Sequence, residues 1–170
     1  MTRFETVRLL VAEWHTLAQQ QWPSQDLANA VKQMLTPSVT ACLPPSWQGD
    51  YSLERADQWI LDRDDKDATW LVIDKSTHEA IGLLILSGTD DFGHLRLGYL
   101  LKESAWGQGF ATELVSGLVS WCRDNRIRSL TAGVETANLA SIRVLEKCGF
   151  TLEPDNNEAN NERLYSIDFT

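Results

Sequence analysis

The sequence predicts an α/β (α+β) fold in a single domain over residues 1–170. The expected architecture is a mixed, mostly antiparallel sheet of about seven strands flanked by helices. Three observations predict it. Apolar residues recur at the spacing of one helix face in several segments. Short apolar and β-branched runs alternate with turn-forming residues through the middle of the chain. Late in the chain two strand–helix units follow one another, and a strand–helix–strand unit implies one parallel pair.

Taken in order, residues 6–11 (Thr-Val-Arg-Leu-Leu-Val) read as a strand, and residues 14–20 as a helical stretch. Asp26 reads as the N-cap of a second helix, because Leu27, Ala30, Val31 and Met34 share a face behind it. Thr36-Pro37 stops that helix, and residues 38–51, with Pro44-Pro45 and Gly49, read as loop. Ser52 caps a helix predicted to run to about Arg63, ended by the acidic run 62–67 as a solvated turn. Residues 70–73, 80–86 and 94–101 read as strands, with turns at 76–79 and at Ser87-Gly88 with the acidic pair after it. A long helix follows residue 109, carrying Ala111, Leu114, Val115, Leu118, Val119 and Cys122 on one face. Residues 128–134 read as a strand and 138–147 as a helix with Gly149 at its C-terminal end. Residues 150–152 and 163–169 close the sheet, with the polar run between them as a loop.

Composition narrows the function. With 43% hydrophobic and 23% charged residues the chain has the make-up of an ordinary globular domain. No apolar run reaches the ~18–20 residues that span a bilayer, and the first residues lack a signal peptide's apolar core. Cys42, Cys122 and Cys148 form no CxxC pair, as expected of reduced thiols in the cytoplasm. His15, His78 and His94 are scattered, so no metal site is expected. A net charge of −9 argues against a nucleic-acid partner and suits a cationic one, although solubility alone accounts for it.

The chemistry-bearing segment is Trp106-Gly107-Gln108-Gly109-Phe110-Ala111-Thr112, a loop from a strand into a helix. The first N–H groups of a helix lack intrahelical acceptors and lie at the positive end of the helix dipole, so they receive anions. Gly107 and Gly109 remove side chains that would block close approach, and the small Ala111 and Thr112 keep the first turn open. GxxxxGK[ST] and GxGxxG are both missing, which excludes two other phosphate loops. On its own such a loop equally well makes only a turn.

Its surroundings resemble the GNAT acetyltransferase superfamily. Residues 106–111 follow that superfamily's [Q/R]xxGx[G/A] loop except at the first position, and residues 106–113 resemble the WGxGxATE string of the branch containing ribosomal-protein N-terminal alanine and serine acetyltransferases. Gly98-Tyr99 matches the branch's GY pair. Asn138, Ser141, Glu146, Lys147, Gly149 and Phe150 match its NxxSxxxxEKxGF, and Thr6-x-Arg8-Leu9 resembles its opening strand.

The resemblance implies an N-acetyltransferase that moves acetyl from acetyl-CoA directly to a primary amine, on a protein N-terminus or a small molecule, in a cytoplasmic monomer or homodimer. It implies a strand at Tyr99, Leu100 and Leu101 that splays from its parallel neighbour, leaving backbone groups for pantetheine and the thioester carbonyl. Gly107, Gln108, Gly109, Phe110, Ala111 and Thr112 are then the pyrophosphate loop. Asn138, whose local role is an N-cap, is implied to hold pantetheine as well. Ser141 is implied both to line the cofactor and to protonate the departing thiolate. The branch's usual glutamate, two residues before the GY pair, is replaced by Arg96. Glu135, at the carboxyl end of its strand, is therefore the expected general base, with Tyr165 a weaker choice. His94 reads as surface, and the seven tryptophans mostly as core or pocket wall. A rival reading keeps the fold and CoA binding without catalysis.

Overall fold

The structure is a computed structural model, and it describes residues 3–20, 22, 26–88, 93–154 and 161–170. The acidic pair Asp90-Asp91 and residues 155–160, both expected to be turn or loop, lie outside the described residues. The strands are β1 (Arg3–Glu5), β2 (Leu9–Glu13), β3 (Ala68–Asp74), β4 (Glu79–Gly88), β5 (His94–Leu101), β6 (Ser129–Glu135), β7 (Thr151–Leu152) and β8 (Glu162–Asp168). The helices are α1 (Trp14–Gln19), α2 (Leu27–Met34), α3 (Pro37–Thr40), α4 (Leu53–Lys66), α5 (Phe110–Asp124) and α6 (Leu139–Lys147). The strands form an eight-stranded sheet in the order β1-β2-β3-β4-β5-β6-β8-β7. The pairs β1/β2, β2/β3, β6/β8 and β7/β8 are antiparallel, and β5/β6 is parallel, as the strand–helix–strand order predicts.

The backbone clusters into two compact units: residues 1–85 with 99–108, and residues 86–98 with 109–170. In the first, α1, α2 and α4 supply Trp14, Leu17, Ala30, Val31, Met34, Trp59 and Ile60 to a core with Leu10, Leu71, Ile73 and Leu83. In the second, α5 buries Leu114, Val115, Leu118, Val119 and Cys122, the face its spacing predicts except for the half-buried Ala111. Ile142 and Leu145 of α6 and Leu130, Ala132 and Tyr165 of the strands are also buried in that unit.

Several local expectations hold at atomic detail. Asp26 caps α2 through Asn29 N at 2.8 Å, and Ser52 caps α4 through Arg55 N at 3.1 Å. Gly149 follows the end of α6 at φ +94°, the left-handed conformation glycine adopts without penalty.

Others are corrected. Residues 6–11 are not one strand. Thr6 Oγ1 accepts from Leu9 N at 3.0 Å, and this local bond turns the chain between β1 and β2, leaving Val7 91% exposed at the tip. Thr36-Pro37 ends α2 but also opens α3: Pro37 stands in its first turn, where a missing N–H costs nothing. Ser87-Gly88 do not turn but end β4. The helix α4 runs past Arg63 to Lys66 and ends inside the acidic run. Within it Arg63 is only 8% exposed and pairs with Asp67, while Asp64 accepts from Trp14 Nε1 at 3.0 Å. The Arg63 guanidinium lies 4.4 Å over the Trp47 ring, a cation–π contact that compensates its burial. The tryptophans divide: Trp14, Trp59 and Trp70 are buried, Trp22 and Trp47 pack at the margin, Trp121 is half-buried, and Trp106 is 48% exposed.

Candidate active site

The strand leading to the glycine loop is positioned by a close backbone approach. A Cβ at Gly82 of β4 would meet the Leu100 carbonyl oxygen at 2.4 Å, so only glycine lets β5 lie where it does. Leu100 and Leu101 bury their side chains, which leaves their backbone as what they can offer a ligand. Tyr99 is half-buried. Beyond Leu101 the chain is locked by Lys102 N donating to Ile81 O at 2.8 Å and by Trp106 Nε1 donating to Leu101 O at 2.9 Å.

The loop itself depends on its glycines. Gly107 has φ +73° and Gly109 φ +80°, conformations in which a Cβ is strained. Among the described residues beyond its chain neighbours, nothing lies within 4 Å of where a Gly107 Cβ would stand, so this backbone is open to close approach. Gln108 turns its side chain back to Ser104 O at 2.8 Å, and its carbonyl accepts from Arg8 Nη1 at 2.9 Å. Gly109 is the N-cap of α5, and no side chain caps the helix there. Phe110 is buried and anchors the first turn, so only its backbone is available, whereas Ala111 and Thr112 are half-buried. The Thr112 carbonyl lies 3.7 Å from Cys148 Sγ at the end of α6.

The parallel ladder has a defined end. It pairs His94 with Ser129 through Leu97 with Ala132 and stops. β5 continues to Leu101 and β6 to Glu135 beyond that last pair. The parallel pairing the sequence predicts is thus held by His94–Leu97 and Ser129–Ala132.

In the second unit, Asn138 and Ser141 stand at the start of α6. Asn138 Oδ1 accepts from Ser141 N at 3.3 Å, the N-cap expected, and Asn138 N donates to Glu135 O at 2.9 Å. Asn138 and Ser141 are both half-buried, and Glu135 is exposed. The structure therefore brings Glu135, Asn138 and Ser141 together at the carboxyl end of β6. Glu135 also faces Glu162 of β8 as its register partner. Tyr165 is buried and packs in the core, and His94 sits at the first pair of the ladder, away from its carboxyl end.

Arg96 is not idle in place of the expected glutamate. Its Nη2 bonds Glu162 Oε1 at 2.9 Å. The pair passes over Gly133, where a Cβ would fall 1.7 Å from Glu162 Oε1 and 2.7 Å from Arg96 Nη2. Sequence reasoning missed Glu162 because it lies 66 residues from Arg96 and only strand register brings the two together. It also left Arg8 without a part. Among the described residues no group of three or more His, Cys, Asp or Glu is disposed to hold a metal ion, and no helix is long and apolar enough to cross a membrane.

A family model described as an acetyltransferase (GNAT) domain matches residues 18–151, which takes in the loop, the ladder end and Asn138 with Ser141. The chain belongs to the GNAT acetyltransferase family. The uncharacterised N-acetyltransferase YjdG of Bacillus subtilis is 29% identical over 86 residues, 49% of this chain and 51% of that protein. The chain thus spans about half the length of the curated relatives it matches. Among solved structures, a GNAT-family acetyltransferase from Bacillus anthracis superposes with a TM-score of 0.76 at 17% identity, covering 98% of both chains. The ribosomal-protein-S5-alanine acetyltransferase from Vibrio fischeri superposes at 0.65 and 19% identity, covering 99% of this chain and 97% of that one. At these identities the likeness of a GNAT neighbour to this chain is one of fold.

Proposed function

We propose that residues 1–170 form a cytoplasmic N-acetyltransferase that moves acetyl from acetyl-CoA directly to a primary amine. The observation that carries this reading is the parallel ladder ending at Leu97 and Ala132 while β5 runs on into the loop of Gly107 and Gly109. The loop fits a pyrophosphate. Its Gly107 is open, its glycines stand at positive φ, and a helix without a side-chain cap begins at its end. In this reading the backbone of residues 107–112 holds the pyrophosphate, the backbone of Tyr99, Leu100 and Leu101 holds pantetheine, and the Asn138 amide assists it.

Acetyl-CoA supplies an acetyl group activated as a thioester. Glu135 takes the proton that the acceptor ammonium sheds before its nitrogen bonds to the carbonyl carbon. A backbone N–H near Tyr99 or Leu100 holds the carbonyl oxygen as it gains negative charge. Ser141 donates a proton to the sulfur as the carbon–sulfur bond breaks and regains one from the nitrogen, which sheds its second proton as the amide forms, so no covalent enzyme intermediate is needed. The net charge of −9 favours a cationic acceptor. A protein N-terminus and a small amine both satisfy that chemistry, and the name of the Vibrio fischeri neighbour makes peptides with N-terminal alanine the first to try.

Calorimetric titration with CoA, followed by a thiol-release assay over peptides and small amines, tests the reading. Binding with turnover on at least one amine is the expected result, and no binding at millimolar CoA would sink it. One observation favours a second reading, an acyl-CoA-binding protein without transfer: the position of the usual glutamate holds Arg96, and Arg96 is engaged with Glu162. Tight CoA binding with no turnover on any amine supports that alternative.

A further inference from the structure

We propose that Arg8 is a positioning residue for the phosphate loop: it holds the Gln108–Gly109 peptide so that the Gly109 N–H faces the pyrophosphate of acetyl-CoA. The proposal rests on the acetyl-CoA reading above and adds a residue to it. Arg8 and Gln108 are 100 residues apart, yet Arg8 Nη1 donates to Gln108 O at 2.9 Å. The base of the side chain is fixed as well. Lys75 N donates to Arg8 O at 2.9 Å, and Arg8 directly precedes β2, whose Leu9 is held by Thr6.

Covalent geometry turns this bond into an orientation. The carbonyl of Gln108 and the N–H of Gly109 belong to one planar trans peptide and point in opposite directions. A guanidinium on the oxygen therefore fixes where the N–H points. Such a constraint is needed here, because Gly107 and Gly109 flank Gln108 and glycine has more backbone freedom to lose than any other residue. The Gln108 side chain contributes no substitute, since it is committed to Ser104 O. Arginine is well suited to this role, because its donors are held in a rigid plane and it stays charged at any working pH.

The test is CoA titration into wild-type protein, Arg8→Gln and Arg8→Lys, with steady-state kinetics on acetyl-CoA and on S-acetylpantetheine, a donor without phosphates. Arg8→Gln is expected to weaken CoA binding about tenfold, the size of one charge-assisted hydrogen bond, with Arg8→Lys intermediate. KM for acetyl-CoA rises while kcat stays near wild type, and turnover of S-acetylpantetheine is unchanged. Unchanged CoA affinity in Arg8→Gln, or an equal loss with the phosphate-free donor, overturns the proposal. A measurement on the wild type guards against a variant that fails to fold: the Gly109 amide resonance should move downfield on adding CoA, and an amide that does not respond also overturns it. Failure of the wild type to bind CoA at all is a separate result, and it removes the acetyl-CoA reading itself.

Discussion

Arg96 and Glu162 meet at 2.9 Å above Gly133, joining β5 to β8 across the strand between them. The bridge stands beside the last pair of the parallel ladder, Leu97 with Ala132. Both side chains are about half exposed, so the ion pair itself contributes on the order of 0–1 kcal/mol. Gly133→Ala pushes a methyl group into the tips of two flexible side chains, which swing away. The expected outcome is a loss of about 0.5–1 kcal/mol in urea denaturation, together with the loss of the pair. A loss above about 3 kcal/mol would mean that the backbone, rather than the pair, depends on this glycine.

Gly82 gives the opposite prediction. There the clash is with the Leu100 carbonyl oxygen at 2.4 Å and Leu101 Cδ2 at 2.6 Å. Backbone cannot swing aside, so Gly82→Ala is expected to cost about 2–4 kcal/mol by denaturation and to weaken CoA binding by displacing the end of β5. Wild-type stability would show that the two strands have room to part.

Glu135→Gln removes a base but keeps shape and hydrogen-bonding capacity. If Glu135 takes the acceptor's proton, kcat falls about 10²–10⁴-fold while CoA affinity is unchanged. Loss confined to Glu162→Gln would transfer that role to its register partner on β8.

Cys122 carries a pH signature. Burial pushes its thiol from 9.0 up to about 12. The folded protein then holds this proton more tightly than the unfolded chain does. Its contribution to stability is whole below pH 9 and declines as pH rises from 9 towards 12, because only the unfolded chain gains by ionising. Denaturation midpoints over that range should fall more steeply for the wild type than for Cys122→Ala. In thiol labelling at about pH 8, the exposed Cys42 should react first and Cys122 only on unfolding.

What the sequence alone determined was what neighbouring residues decide. The apolar face of α5, the caps at Asp26, Ser52 and Asn138, and the glycine after α6 all follow from interactions within one helical turn. The glycine loop and the Asn138–Ser141 spacing were legible for the same reason, and the family could be recognised from them. The tertiary structure decided what depends on register and on contacts between distant segments. Thr6 made a turn of the first half of a predicted strand, and burial of Arg63 against Trp47 carried α4 into an acidic run that reads as a turn. Arg8 met Gln108, and Arg96 met Glu162 over a glycine, only because paired strands brought them within reach. Side chains 66 or 100 residues apart leave no periodic trace in a sequence, since their meeting is set by strand order and pleat rather than by anything local to either residue.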